Sequence, residues 1–442
     1  MFCSYIMQKM NCSKFFLLIF MLSGIANTTF SQQTVYARKV IQTLASPAFK
    51  GRGYVESGDH KASAYIAGEF KKFGLLPLNK DSYFQEFNLP VNTFPGKVEL
   101  KLNGGLLTTA VDYLVSASSP PIHGTYKVIS VNRTDINNVT KLAEILVRSV
   151  DAFILIDNRA LKEELPEVKQ FIDGQINELI KNETFNFKGL LIYSSDKLTW
   201  TTLSYQTKRP VIKINKKDLD PTKVNSLSIA VDVKFIPAYT TRNVAGLVKG
   251  SSGIDSTLVI TAHYDHLGLL GKKVYFPGAN DNASGVAMLL SFARHYAQHP
   301  PKYNMVFLAF SGEEIGLLGS AAFVKKPLIA LDKIKFLVNF DLAGTGEEGV
   351  KVVNATKYKV QFDKLVQLNQ QNQLLKKVDS RGEACNSDHC RFYQQGVPSF
   401  FIYTQGGIQA YHDIYDRAET LPLTAFDNYF ELLSQFFDCG VS

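Results

Sequence analysis

The sequence predicts an α/β fold: a mostly parallel, doubly wound mixed sheet flanked by helices, with a smaller α/β unit inserted into it. Three observations predict it. The runs STLVITA (256–262), NMVFLAF (304–310) and KIKFLVNF (333–340) are rich in Val, Ile, Leu and Phe and read as strands buried on both faces. Helical spacing of apolar residues marks the segments around them, as in SGVAMLLSFARHYAQH (284–299). Each strand run is also followed within a few residues by an imidazole or a carboxylate: His263, the pair Glu313 and Glu314, and Asp341. Open α/β sheets bind ligands at the carboxyl ends of their strands, so this order suits a crevice there.

Taken from the start, Lys9 and Lys14 precede the apolar run FFLLIFML (15–22), and small residues follow at Ser23, Gly24, Ala26 and Ser31. The run is too short to span a membrane and reads as a signal peptide over about residues 1–31, which places the protein in the periplasm or outside the cell. No cysteine closely follows the run, so no stable membrane anchor is expected. The 442 residues suffice for two or three domains, and 45% hydrophobic with 20% charged residues is a globular composition. The net charge of +8 is scattered, with no Lys/Arg block dense enough for nucleic acid. Cys385 and Cys390 are close enough to bridge a loop in an exported chain, with two reduced, buried thiols as the alternative.

Residues 32–89 read as the helical N-terminal part of the main unit, with Gly74 as a helix stop and GRGYVESGDH (51–60) as a loop. Residues 90–237 change character: short strand-like runs (KVELKLNG, AFILIDN, KGLLIYSS, RPVIKINKKDL) alternate with polar or helical segments. No constellation of His, Cys and paired acids occurs there, and Trp200 reads either as a residue at a cleft mouth or as an ordinary packed aromatic. Residues 238–442 return to the main sheet, with strands expected at 242–249 and 256–262.

Four fragments in this last part carry chemistry, TAHYDHLG (261–268), GANDNASG (278–285), FSGEEIGLLGS (310–320) and NFDLAG (339–344), and AYHDIYD (410–416) adds a fifth. Zinc accepts imidazole nitrogen and carboxylate oxygen, and a paired site needs one carboxylate that bridges. Asp281 is the candidate bridge. His263 and Asp341 complete one metal, and Glu314 and His412 the other, giving two Zn2+ per chain. The ligand types also admit cobalt or manganese. Glu313, left free of metal, can take a proton from activated water and pass it to a leaving amine. Asp265 can orient the His263 ring, and Asp416 the His412 ring. Taken singly these residues have ordinary readings: Asp281 as a helix cap, the Glu pair as the acidic start of a helix. His60, His266, His389 and the pair His295 and His299 are assigned no metal, and Asp388 is expected to line the cleft.

These fragments resemble the co-catalytic di-zinc aminopeptidase family, which includes secreted bacterial leucyl-type aminopeptidases and is related to glutamate carboxypeptidases. The resemblance rests on His263-Tyr264-Asp265, Asp281 to Gly285, Gly312 to Ser320, Asp341 and His412, over residues 240–442, and more faintly on 35–90. It implies a zinc exopeptidase fold, peptide substrates, metal roles for His263, Asp281, Glu314, Asp341 and His412, and the base role for Glu313. The segment 90–237 is similar to the protease-associated domain often inserted in that family. An exported aminopeptidase is the function implied. A glutaminyl cyclase, a carboxypeptidase, or a binding protein on an inactive scaffold remain open. Oligomeric state and side-chain preference are not written in these motifs.

Overall fold

The computed structural model describes residues 33–159 and 164–440. The expected leader at 1–31 lies outside the described residues. Among those described, no helix is long and apolar enough to cross a membrane.

Four parallel strands form the centre of a nine-stranded sheet, in the spatial order Asn304–Phe310, Thr257–His263, Ile334–Phe340 and Ser399–Gln405. Three of the four central strands feed two cores at once. Leu258, Ile260 and Ala262 point into one, Val259 into the other; Met305, Phe307 and Ala309 alternate likewise with Val306, Leu308 and Phe310. This two-residue alternation between two apolar layers explains why the sequence shows continuous apolar runs instead of an apolar–polar rhythm. The first layer is roofed by helices at 33–44, Gly58–Phe73, Gly285–Gln298 and Phe426–Asp438. Phe323 and Phe392, from the shorter helices Leu318–Lys325 and His389–Tyr393, help close the other. The outer strands turn the sheet mixed: Lys234–Val248 runs antiparallel to Asn304–Phe310, and Gly349–Val353 antiparallel to Ser399–Gln405.

Several local expectations shift. The stretch read as a loop at 51–60 begins with the 3-10 turn Pro47–Arg52 and ends inside the helix that starts at Gly58. That helix stops where expected: Gly74 adopts φ +83 and its N–H closes on Phe70 and Lys71 carbonyls. The strand expected at 242–249 starts eight residues earlier, at Lys234, because it pairs along most of its length with Phe84–Thr93, a strand missed in the sequence. Phe84–Thr93 mixes apolar with polar residues, and only its second half is buried, so its periodicity is weak.

A second, eight-stranded sheet lies between these two paired strands in the chain, running from Val98–Leu102 to Ser226–Val231. Its centre is also parallel, Ile122–Asn132, Phe153–Asp157, Gly189–Tyr193 and Val211–Ile214. The expected boundaries at 89/90 and 237/238 both fall inside the ribbon that leads to it, where Leu89 faces Tyr239. Phe94, Trp200, Leu267, Leu270 and Phe276 join this sheet's core to the loops that follow His263.

Candidate metal centre

The carboxyl ends of the central strands deliver their polar residues to one place. His263 is the last residue of its strand and is 1% exposed. Its Nδ1 lies 3.2 Å from the Asp265 main-chain carbonyl. A carbonyl only accepts, so Nδ1 carries the proton, and in the neutral ring Nε2 is the lone-pair donor. Nε2 faces Asp281 Oδ1 and Asp341 Oδ1, each at 3.4 Å. The second imidazole repeats the arrangement: His412 Nδ1 is 3.1 Å from the Trp200 carbonyl, and its Nε2 is 3.0 Å from Asp281 Oδ2 and 3.1 Å from Glu314 Oε2. The Asp281 carboxylate therefore sits between two imidazoles, one oxygen to each.

Asp281 is free for this because another side chain takes the ordinary task at that helix start. Asn282 Oδ1 accepts from the Gly285 N–H at 3.0 Å, so it caps the helix, while Asp281 itself holds extended dihedrals (φ −106, ψ 96). The Glu pair is likewise no helix-start pair, since the helix Leu318–Lys325 has no acidic residue in its first turn.

Glu313 and Glu314 are neighbours with opposite electrostatics. Burial, together with Asp341, Asp388 and Glu314, pushes the Glu313 carboxyl well above the usual carboxylate range, against the pull of His263. Burial and Asp281 also push Glu314 up, but His412 and His266 outweigh them and hold it at about 2. The two environments split one sequence doublet into a carboxyl that keeps a proton readily and one that stays ionised.

Two supporting roles differ from expectation. The Asp265 carboxylate is 3.8 Å from His263 Nδ1, and it is the Asp265 main-chain oxygen that meets the ring. The carboxylate instead accepts from Tyr54 Oη at 3.1 Å and from the Glu313 and Glu314 amides at 3.2 and 3.4 Å, which fixes the Glu pair. Asp416 does not touch the His412 ring; it accepts from the Asn280 and Asp281 amides at 2.8 and 2.9 Å and so holds the Asp281 turn. Asp416→Asn keeps one acceptor and sets an NH2 against an N–H. The expected cost is about 1–3 kcal/mol in urea unfolding, and an unchanged midpoint would remove this role.

Three residues, His266, Ser387 and Tyr411, were missed in the sequence or left without a role. His266, fully buried, places Nδ1 2.6 Å from Glu314 Oε1. Ser387 donates to Asp341 Oδ2 at 3.0 Å and accepts from Asn339 at 2.8 Å. Asp388 is fully buried, and burial pushes its carboxyl up to about 7. Cys385 and Cys390 are joined as a disulfide across this segment. Tyr411 stacks flat on His412, ring centres 4.0 Å apart, and burial with the fields of Asp281 and Glu314 raises its phenol.

Arg52 is the largest omission. It is 0% exposed and donates to five main-chain carbonyls: Tyr264 (2.8 Å), Leu44 (3.1 Å), Pro277 (2.7 Å), Gly278 (2.7 Å) and Asp281 (3.1 Å). The chain brings it there through glycine on either side. A Cβ on Gly53 would lie 2.4 Å from Gly268 Cα, and one on Gly51, at φ +60, 2.6 Å from the Gly268 oxygen. The GRG triplet was the available signal.

The remaining histidines stay apart from the cluster. His60 Nε2 meets the Thr240 carbonyl, His389 Nε2 the Ala384 carbonyl, and His295 and His299 stack on each other. Among the described residues, the His/Cys/Asp/Glu groups close enough to share a cation are His263–Glu313–Asp341 and His266–Asp281–Glu314. Two imidazole Nε2 atoms in the right tautomer, facing Asp and Glu oxygens, make a donor set that suits zinc.

The profile of Peptidase family M28 matches residues 243–437. A probable zinc metalloprotease of Pyricularia oryzae is 37% identical over 113 residues, 25% of this chain and 22% of that protein. Aminopeptidase YwaD of Bacillus subtilis is 32% identical over 143 residues, 31% of this chain and 30% of its own length. The chain thus matches less than a third of the length of either relative. Among solved structures, the zinc aminopeptidase BSAP from Bacillus subtilis superposes with a TM-score of 0.66 at 20% identity, covering 91% of this chain and 93% of its own, a likeness of fold that extends over both sheets. All four ends of the central strands and every residue of the cluster from His263 to His412 fall inside residues 243–437, the segment that matches Peptidase family M28.

Proposed function

We propose that this chain is an exported zinc-dependent exopeptidase, an aminopeptidase that removes N-terminal residues from peptides and uses Glu313 as its general base. The observation that carries the reading is the Asp281 carboxylate set between the His263 and His412 imidazoles, with Asp341 and Glu314 completing either side. His263, Asp281 and Asp341 would hold one zinc, and His412, Asp281 and Glu314 the other. Bound zinc supplies Lewis acidity, polarising a carbonyl and lowering the pKa of water.

The chain's own residues do the rest. Glu313 lies beside His263 and Asp341, and its raised affinity for a proton fits it to accept one from the attacking water and return it to the leaving amine. Asp265 holds Glu313 and Glu314 by their amides, so base and ligand share one support. The concentration of carboxylates favours a cationic α-amine over a blocked N-terminus. Export rests on residues 1–31, and the second sheet is read as a protease-associated-like insertion.

A peptide library, half of it N-acetylated, tests this by mass spectrometry. Stepwise loss of N-terminal residues from the free peptides alone is expected, abolished by a chelator and restored by zinc. Trimming from the C-terminus, loss of ammonia from N-terminal Gln without shortening, or no change in any peptide would each sink the aminopeptidase reading.

A further inference from the structure

We propose that the irregular segment Lys197 to Thr202, which belongs to the second sheet's unit, is a positioning element for one half of the metal centre, the half made by His412 and Glu314. This rests on the reading of those two residues as zinc ligands.

The segment touches that half at both ligands. Trp200 and His412 make a reciprocal pair: the Trp200 N–H donates to the His412 carbonyl at 2.9 Å, and His412 Nδ1–H donates to the Trp200 carbonyl at 3.1 Å. The second bond sets the tautomer that leaves Nε2 facing Asp281 and Glu314. Two residues on, Thr202 Oγ1 donates to the Glu314 carbonyl at 3.0 Å. Three residues earlier, Lys197 Nζ reaches the Gln409 carbonyl at 2.7 Å, the Tyr411 carbonyl at 3.3 Å and Asp413 Oδ2 at 2.6 Å, clamping the loop on both sides of His412. That loop needs support, because His412 sits at φ +52, outside any helix or strand.

The segment is anchored in turn. The Trp200 indole is 5% exposed, stacks on Phe276 at 4.9 Å, meets Phe94 edge-on at 5.6 Å and donates Nε1–H to the Val115 carbonyl at 2.7 Å. It is therefore a packed core aromatic and not part of a cleft mouth. His263 receives no such help: its tautomer is set by Asp265, two residues away in its own chain segment. One half of the centre is self-contained within the main sheet; the other depends on the docked second unit.

Zinc titration against a competing chelator tests this in the full chain. Lys197 is half-exposed, so Lys197→Ala is expected to fold, and Lys197→Arg keeps the cation. Removing a partner that orients a ligand weakens metal binding by about 10–100-fold. Lys197→Ala should weaken one zinc of two by that factor, with Lys197→Arg near wild type. On a His263→Ala background the same loss should persist, and on a His412→Ala background it should vanish, because the supported half is already gone. Trp200→Ala should repeat the pattern more strongly. An equal loss on both backgrounds, or no loss in folded Lys197→Ala, overturns the inference while leaving the proposed function intact. A wild-type chain that binds fewer than two zinc ions overturns both.

Discussion

Replacing Glu313 by glutamine should lower kcat by about 10²–10⁴-fold, the usual share of a positioned general base, while zinc stoichiometry stays at the wild-type value. At 1.36 kcal/mol per tenfold that is about 3–5 kcal/mol of barrier. Glutamine has the same shape and cannot accept and return the proton. The main-chain bond from Glu313 to Asp265 is untouched by the change. The substitution also replaces a buried carboxyl whose ionisation Asp341, Asp388 and Glu314 oppose, so the melting temperature should equal or exceed that of the wild type. Chelator-competition titration and peptide turnover, run on one preparation, separate the two effects. A parallel loss of zinc and activity would make Glu313 a ligand; unchanged turnover would move the base elsewhere.

Arg52→Ala should be the most destabilising single change in the main unit, by about 3–5 kcal/mol, the range for breaking a buried charged network. Five buried carbonyls lose their donor at once, each worth about 1–3 kcal/mol if left dry. Relief of the desolvation that drives the Arg52 guanidinium down to about 10 returns part of that. The remainder is a large fraction of the 5–15 kcal/mol that typically separates folded from unfolded chains. Arg52→Lys should recover little, because a point donor cannot span carbonyls on both sides of the planar fork. Urea unfolding checks both variants, and a midpoint near wild type for Arg52→Ala would show that water replaces the guanidinium without penalty.

The central strands and the cluster residues were legible because their signals are local. A strand buried on both faces shows as an apolar run, and His263, Glu313, Glu314 and Asp341 follow such runs directly. The supporting residues were illegible for the opposite reason. Arg52 acts on carbonyls up to 229 positions away, Trp200 on a loop 212 away, and Asp416 on the Asp281 amide 135 away. Nothing in the neighbourhood of an arginine between two glycines, or of a lone tryptophan, states which distant backbone it will meet. The roles of Asp265 and Asp416 were misdirected in the same way. Both lie near a histidine in sequence, but each carboxylate has two oxygens, and amides brought in by folding offered both of them partners.

The reach of Arg52 also has a consequence in time. Its guanidinium is made 229 residues before the last carbonyl that receives it. At 5–20 residues per second, roughly 10–50 s of synthesis separate the two. For most of that interval the helices at 33–44 and Gly58–Phe73 have no sheet to cover, since the strands whose core they share begin only at Lys234. The segment that holds Arg52 is therefore made early and settles late, and His412 arrives later still.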